Sequence, residues 1–167
     1  MKKISFWGTL LLACMALGLI FLDASCHKDP CRYVRCSNNG TCNNGSCSCP
    51  AGYEGSYCQI LSRDKAVGGY TVNESCSASG TSVYNATISA ATDNTQALLY
   101  NINKRFANPV VAQANGNSLT INDQIPDLNG IHISGSGTIS ADTRTITFSY
   151  SISGAATDGC NSSVWTR

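Results

Sequence analysis

The C-terminal part of the chain, residues 67–167, alternates apolar and polar side chains with a period of two. The stretch from Thr145 to Ser153 is the clearest case. One of its faces carries Ile146, Phe148, Tyr150 and Ile152, and the other carries only serine and threonine. Successive side chains of a strand point to opposite sides of a sheet, so this pattern predicts a strand with one buried and one wetted face. Similar patterns predict seven more strands: Gly69–Cys76, Val83–Ala91, Ala97–Asn103, Pro109–Asn115, Ser118–Asn122, Ile131–Ser140 and Cys160–Trp165.

Turn signals such as Asn115-Gly116 and Asn129-Gly130 separate these strands, and no segment between them has the period of a helix. Neighbouring strands are therefore expected to be antiparallel. The predicted class is all-β, and eight half-buried strands close into an up-and-down barrel or, as the alternative, fold into a sandwich. Gly135 and Gly137 fall on the inward face of their strand, where a barrel bends or backbones approach closely. The architecture is weakly similar to lipocalins, a fold-level analogy that carries no function.

The first 25 residues predict an export signal. Lys2 and Lys3 precede a mostly apolar run from Ile4 to Leu22, as in the charged and apolar regions of a secretory signal. The run of 19 residues is also long enough to span a membrane. Both interpretations deliver everything after Asp23 to the far side of the membrane.

The sequence Leu22-Asp23-Ala24-Ser25-Cys26 resembles the lipobox of bacterial lipoproteins, in which an acylated cysteine becomes the mature N-terminus. Asp23 departs from that pattern, which has an apolar residue three positions before the cysteine. Leu11–Cys14 is a competing site, but cleavage there would leave Met15–Leu22 as an apolar N-terminus.

The lipobox resemblance implies a signal peptide over residues 1–25, a lipid on Cys26 and a lipid-anchored linker over residues 26–30. The alternative is ordinary cleavage after Ala24, which leaves a free thiol. The residues Ser25–Asp29 are similar to the start of a Gram-negative outer-membrane lipoprotein. The expected location is therefore the outer membrane or cell surface, with a secreted protein as the alternative.

Six cysteines crowd into residues 31–58. From Cys31 the gaps between them are four, five, four, one and eight residues, and the last gap reads PAGYEGSY. This spacing closely resembles the EGF family. The resemblance implies the bridges Cys31–Cys42, Cys36–Cys47 and Cys49–Cys58, although spacing alone permits 15 connectivities. Such a short module buries too little apolar surface to fold without its bridges. A zinc site is the rival interpretation, which the export signal and the lack of paired CxxC units disfavour.

The remaining cysteines can be assigned by parity. Cys14 leaves with the signal, and Cys76 can pair with Cys160, so Cys26 alone is left over and acylation explains it. Cys76 lies in the first predicted strand and Cys160 begins the last, so a Cys76–Cys160 bond would join the two ends of the sheet. The predicted organisation after the module is a linker over residues 59–66 and a β domain over residues 67–167.

This chain lacks the residues that two specialised roles of EGF-like modules require, namely calcium binding and activation of EGF receptors. Calcium-binding members have an acidic cluster before the first cysteine, whereas this chain has Asp29-Pro30 and a short Asn43–Ser46 loop, too few oxygens for Ca²⁺. Members that engage EGF receptors have an arginine directly before the last cysteine, where this chain has Tyr57. The resemblance then implies a rigid spacer or a small adhesive surface, with no metal or cofactor.

Charge and reactive residues favour binding over catalysis. Removing Lys2, Lys3 and Asp23 from the 11 basic and 10 acidic residues leaves nine of each, and this neutrality argues against nucleic acid or an anionic membrane surface as a partner.

His132 has no Cys, His or carboxylate motif beside it and is expected on the wetted face. The β domain has few carboxylates, and most of them sit at predicted turns. The full set is Glu74, Asp93, Asp123, Asp127, Asp142 and Asp158. The sequence has no phosphate-binding loop, nucleophile elbow or metal motif, so we expect no enzyme and no catalytic residues.

The expected function is that of a non-catalytic, lipid-anchored surface protein that binds an unknown protein or glycan partner and contacts the membrane through its N-terminal lipid. The alternative is a carrier of a small apolar ligand, which would need a cavity inside the barrel. The predicted interior residues are bulky enough to fill a small barrel: Ile88, Ile102, Ile133, Phe148 and Tyr150.

Overall fold

The computed structural model describes residues 28–167. The predicted export signal and the predicted lipid site at Cys26 lie outside these residues. Within residues 28–167 the helical segments are two short 3₁₀ turns, Ser62–Lys65 and Ile102–Lys104. In this part of the chain, no helix has the length and hydropathy needed to cross a membrane.

Strands make up most of the described chain. They are β1 (Thr41–Asn43), β2 (Ser46–Ser48), β3 (Tyr53–Glu54), β4 (Ile60–Leu61), β5 (Gly68–Cys76), β6 (Gly80–Ala90), β7 (Gln96–Tyr100), β8 (Val110–Asn115), β9 (Ser118–Gln124), β10 (His132–Ile139), β11 (Thr145–Ser153) and β12 (Asp158–Thr166). The short strands β1 to β4 belong to the cysteine-rich part, where β1 pairs with β2 and β3 with β4.

The strands β5 to β12 form a closed antiparallel barrel. Each strand pairs with the next along the chain, and β12 returns to pair with β5, with Trp165 opposite Val72 and Cys160 opposite Cys76. The prediction of an all-β fold with an eight-stranded antiparallel barrel is therefore confirmed, and the sandwich alternative is excluded. The strand Thr145–Ser153 has its predicted bounds.

The predicted strand Ala97–Asn103 is wrong at its C-terminal end, because β7 stops at Tyr100. Asn101, Asn103 and Lys104 have φ values of 62°, 53° and 53°, in the left-handed region. A strand cannot continue through such residues, and the chain turns over the end of the barrel instead. Ile102, a predicted interior residue, is nevertheless fully buried within this turn.

The inward side chains fill the barrel. Trp165 packs against Phe148, with ring centroids 5.1 Å apart, and against Tyr70 at 5.9 Å. All five predicted interior residues are buried. Space for the large rings comes from β10, because a Cβ on Gly137 would collide with the ring of Phe148 and one on Gly135 would lie 2.5 Å from the Cβ of Tyr150.

Antiparallel closure gives the barrel two ends with different roles. The end where β5 begins also holds the β6–β7, β8–β9 and β10–β11 turns, and we call it the near end because the cysteine-rich part joins it. The opposite, far end holds the longest connections, the β7–β8 loop (residues 101–109) and the β9–β10 loop (residues 125–131). Any residue of the barrel can therefore be assigned to the side that faces the N-terminal module or the side that faces away from it.

Candidate functional site

The eight predicted cysteines meet in four pairs. The structure joins Cys31 to Cys42, Cys36 to Cys47 and Cys49 to Cys58 in the N-terminal module, and Cys76 to Cys160 between β5 and β12. Their Cα–Cα separations run from 4.0 to 5.8 Å. The first three bonds hold a module with almost no apolar interior, in which Cys58 is a rare fully buried residue.

Arg63 fixes this module to the near end of the barrel. Its side chain is 10% exposed. One guanidinium nitrogen, Nη1, donates hydrogen bonds to the carbonyl of Ala91 at 2.6 Å and to that of Asp93, while Nη2 donates to Asn94 Oδ1 at 3.3 Å. These acceptors line the β6–β7 turn, so the planar fork of arginine bonds several of them at once.

Further contacts surround Arg63. Lys65 Nζ lies 2.8 Å from Glu54 Oε2 and donates to Asn117 Oδ1 at 2.6 Å, which links β3 to the β8–β9 turn. The fully buried Ser62 donates its N–H to the carbonyl of Gly52 and accepts from the N–H of Gly116. Residues 59–66, predicted as a linker, are thus ordered and packed, and they hold the module and the barrel as one body.

A buried polar cluster lies at the other end of the barrel. Glu74 of β5 is 1% exposed and points inward. Its Oε2 accepts from Tyr150 Oη at 2.5 Å, Tyr84 Oη at 2.8 Å and Ser163 Oγ at 3.1 Å. Its Oε1 accepts from Asn103 Nδ2 at 3.1 Å and Ser82 Oγ at 3.3 Å. We call these six residues the Glu74 network.

The directions of these hydrogen bonds are set by the groups behind them. Tyr84 Oη accepts the backbone N–H of Asn103 at 2.7 Å, and Ser163 Oγ accepts the indole N–H of Trp165 at 3.0 Å. Each hydroxyl therefore turns its own proton toward Glu74. An ionised carboxylate offers only acceptors, so it matches this ring of donors.

The tyrosines respond to this environment. Burial raises the pKa of both Tyr84 and Tyr150. At Tyr84 the negative charge of Glu74 adds to the effect, and at Tyr150 the neighbouring Tyr84 and the hydrogen bond to Glu74 do so. Both phenols stay protonated well above the usual pKa of tyrosine and remain donors.

The network holds the β7–β8 loop in place. Asn103 is in a left-handed conformation, yet both its backbone N–H and its side-chain amide are bonded inside the barrel. The amide also lies 3.6 and 3.7 Å from the two sulfurs of the Cys76–Cys160 bond. Such strained residues persist only where the surroundings determine them.

A second carboxylate ties this loop to its neighbour. Asp127 of the β9–β10 loop accepts the backbone N–H groups of Ala107 at 3.0 Å and Asn108 at 2.8 Å, and these bonds lower its pKa. Asn108 Nδ2 donates to the carbonyl of Pro126 at 3.2 Å. The two far-end loops therefore form a fixed surface, on which Lys104, Arg105 and Leu128 are exposed, Leu128 to 91%.

The carboxylate of Glu74 is fully engaged by hydrogen bonds within the chain. Every oxygen of Glu74 is occupied by donors of the same chain, which leaves no free lone pair for a substrate. Glu74, Cys76 and Cys160 offer atoms within 4.8 Å of one another. Because the two sulfurs are bonded to each other, they do not supply the thiolates that a metal site requires.

A shallow groove runs along the outer face of β5 and β12. It has a volume of about 390 Å³, and Glu74, whose side chain is buried, contributes to its lining. The other lining residues are uncharged: Thr71, Asn73, Ser75, Ser162, Val164 and Thr166. The pairing register of the two strands shifts between Cys160 and Ser162 at this place. The groove presents hydroxyl and amide groups to solvent.

His132 has an exposed side chain, as predicted, and it also has a carboxylate neighbour that no sequence motif indicated. This residue lies at the start of β10, where its Nδ1 is 3.0 Å from Asp123 Oδ2 of β9, so a carboxylate does stand beside it. Both side chains are exposed. Glu74 lies within the predicted strand Gly69–Cys76, but its burial on the inner face of β5 was not predicted.

Comparison with known proteins identifies the N-terminal module. Residues 33–60 match the Teneurin-like EGF domain family. No curated protein and no solved structure matches the chain. The prediction of an EGF-like module in front of a β-barrel is therefore confirmed by this match together with the three disulfides and the closed sheet.

Proposed function

We propose that this chain is a non-catalytic, lipid-anchored protein of the outer membrane or cell surface that acts in binding or adhesion. The EGF-like module is a rigid spacer, and the far-end loops of the barrel are the contact surface. The observation that carries the proposal is the Arg63 joint, which fixes the module on the near end. The far end is then held away from the N-terminus, where the lipid would be attached.

The far end has the properties of a recognition surface. Binding residues are often found on loops that a rigid scaffold positions. Here Asn103 ties the β7–β8 loop to Glu74 inside the barrel, and Asp127 ties the β9–β10 loop to the β7–β8 loop. A preordered loop loses little conformational freedom when it binds a partner, which favours affinity.

The disulfides support an exported location. Bonds of this kind persist in oxidising compartments and are rare in the cytosol. Four of them lie in the described 140 residues, and three hold a module that has little core of its own.

The alternative function, a carrier of a small apolar ligand, has less support. A carrier needs space inside the barrel, and here Trp165, Phe148 and Leu99 occupy the interior and are fully buried. Binding of a fluorescent fatty acid with one molecule per barrel would reverse this order.

The lipid anchor is tested by labelling cells with an alkyne-bearing fatty acid. We expect the wild type to be labelled, Cys26→Ser to lose the label, and the matched control Cys14→Ser to keep it, because Cys14 leaves with the signal peptide. A label that survives in Cys26→Ser, or an unlabelled wild type, would refute the anchor.

Outward display is tested with an epitope tag inserted between Leu128 and Asn129, at the exposed tip of the β9–β10 loop. Antibody added to intact cells should bind this tag as well as it does after permeabilisation. Binding only after permeabilisation would place the barrel in the periplasm and rule out a role at the cell surface.

A further inference from the structure

The first described residues of the chain, 28–35, which lead into the module, carry an exposed set of basic and aromatic side chains. Lys28, Arg32, Tyr33 and Arg35 are all exposed, and Tyr33 is exposed to 84%. We call these four residues the basic-aromatic turn. The turn therefore places an aromatic ring and three cations side by side in solvent, a combination that suits a partner able to contact both.

The turn is held in a fixed shape. The N–H of Arg32 donates to the carbonyl of Asp29 at 3.2 Å, and that of Val34 donates to Cys31 at 3.1 Å. Cys31 is itself bonded to Cys42. The guanidinium of Arg32 lies 5.4 Å from the centroid of the Tyr33 ring, so a cation and a ring project together from the module.

The basic residues of the mature chain are unevenly distributed. Three of the nine fall within residues 28–35, against a single acidic residue, Asp29, whose carboxylate accepts the N–H of Cys31. In the barrel and its joint, Arg63, Lys65 and Arg167 are occupied by hydrogen bonds to their own chain. Net neutrality is therefore an average that conceals a local cationic surface beside the N-terminus.

We propose that the basic-aromatic turn binds the phosphate-bearing headgroup layer of the membrane in which the chain is anchored. The inference rests on the proposed lipid at Cys26, because Arg32 is only six positions further along the chain, a distance of at most about 20 Å. A basic patch next to a lipid anchor adds an electrostatic attraction to anionic lipid headgroups. Tyrosine is enriched at the membrane interface, where its ring meets acyl chains and its hydroxyl meets headgroups.

Contact at the turn would also orient the molecule. The module would touch the membrane at residues 28–35, and the Arg63 joint would transmit that orientation to the barrel. The far-end loops would then point outward instead of sampling every direction allowed by a flexible tether. This surface therefore supplies the geometry that the proposed display function needs.

The experiment measures binding of the unlipidated mature chain, residues 26–167 with Cys26→Ser, to lipid vesicles by co-sedimentation. One set of vesicles is pure phosphatidylcholine, and the other contains about a third phosphatidylglycerol. We expect preferential binding to the anionic vesicles, weakened by salt. Each basic residue near such a surface contributes about fivefold in affinity, so Arg32→Ser/Arg35→Ser should bind about 25-fold more weakly.

The matched control is Lys104→Ser/Arg105→Ser, which removes two exposed cations from the far end. It should change vesicle binding less than twofold, whereas Tyr33→Ser should weaken binding to both kinds of vesicle. Intact mass, which reports the disulfides, and Trp165 fluorescence establish that each variant is folded.

Equal binding of the wild type to both kinds of vesicle, absence of binding, or equal losses in the two double variants would overturn the proposal. The protein used here carries no lipid, so these outcomes are separate from those of the fatty-acid labelling. A failed anchor appears in the labelling, and a failed headgroup contact appears in the sedimentation.

Discussion

Replacing Tyr150 by phenylalanine tests whether the Glu74 network holds a charged carboxylate. The change removes one hydroxyl and leaves the ring, so it creates almost no cavity. Tyr70 provides a matched comparison, because it too is 3% exposed and its hydroxyl also makes one hydrogen bond. The acceptors differ: Tyr150 donates to Glu74 Oε2 at 2.5 Å, and Tyr70 donates to the carbonyl of Ala66 at 2.7 Å.

The expected magnitudes follow from that difference. A hydrogen bond to a charged group contributes about 1.5–3 kcal/mol, and one between neutral groups contributes about 0.5–1.5 kcal/mol. Tyr150→Phe should therefore lower the free energy of unfolding by about 2 kcal/mol and Tyr70→Phe by about 1 kcal/mol. Glu74 Oε2 still accepts from Tyr84 and Ser163, so the first change leaves no buried acceptor without a partner.

The assay is urea unfolding followed by Trp165 fluorescence. Trp165 is buried, and the other tryptophan, Trp7, belongs to the predicted signal peptide. With an m-value of about 2 kcal/mol/M, the midpoint should fall by about 1 M for Tyr150→Phe and about 0.5 M for Tyr70→Phe. In a Glu74→Gln background, Tyr150→Phe should cost no more than Tyr70→Phe does. Equal losses in the two single variants would refute an ionised Glu74.

Three other outcomes are expected from the same unfolding assay. Arg63→Met should lower the free energy of unfolding by about 3 kcal/mol, because it removes two charge-assisted hydrogen bonds to carbonyl groups, and it should make residues 59–66 sensitive to protease. The control Arg144→Met, at an exposed position, should change stability by less than about 0.5 kcal/mol. Equal effects of the two variants would contradict the role of Arg63 in fixing the module to the barrel. Removing the barrel disulfide by Cys76→Ala/Cys160→Ala should cost up to about 4.6 kcal/mol for a loop of 84 residues, and an unchanged midpoint would disprove its stabilising role. Because the two tyrosines of the Glu74 network have a raised pKa when folded, their contribution is complete below pH about 10 and is lost as the pH rises further; a midpoint that is constant from pH 9 to 11 would contradict this.

The barrel was predictable because each of its strands buries one face and exposes the other to solvent, which leaves an alternating pattern in the sequence. Thr145–Ser153 keeps strict alternation over its whole length, and a shift of one residue would place its apolar side chains in water. The end of β7 was not predictable in the same way. Ile102 continues the apolar pattern beyond Tyr100, but the asparagines around it take left-handed conformations that alternation does not report.

The position of Glu74 in the sequence could have been used to predict that its side chain is buried. Tyr70, Val72 and Cys76 are inward residues of β5, and the same period of two places Glu74 among them. A carboxylate on the apolar face of a strand must be hydrogen-bonded or paired with a cation, or else be protonated. Its partners come from β6, β11, β12 and the β7–β8 loop, and only the stagger of the closed barrel brings them together.

The register of β5 has a mechanical consequence for a protein attached at its N-terminus. β5 pairs with β6 from Gly68 to Cys76, through nine residue pairs. A pull between the membrane and a partner at the far end would run along β5, at right angles to its ladder of hydrogen bonds. The load would then fall on the whole ladder at once instead of opening it one bond after another. At the far end of β5, Cys76 is bonded to Cys160, so the first and last strands of the barrel could not be pulled apart there without breaking a covalent bond.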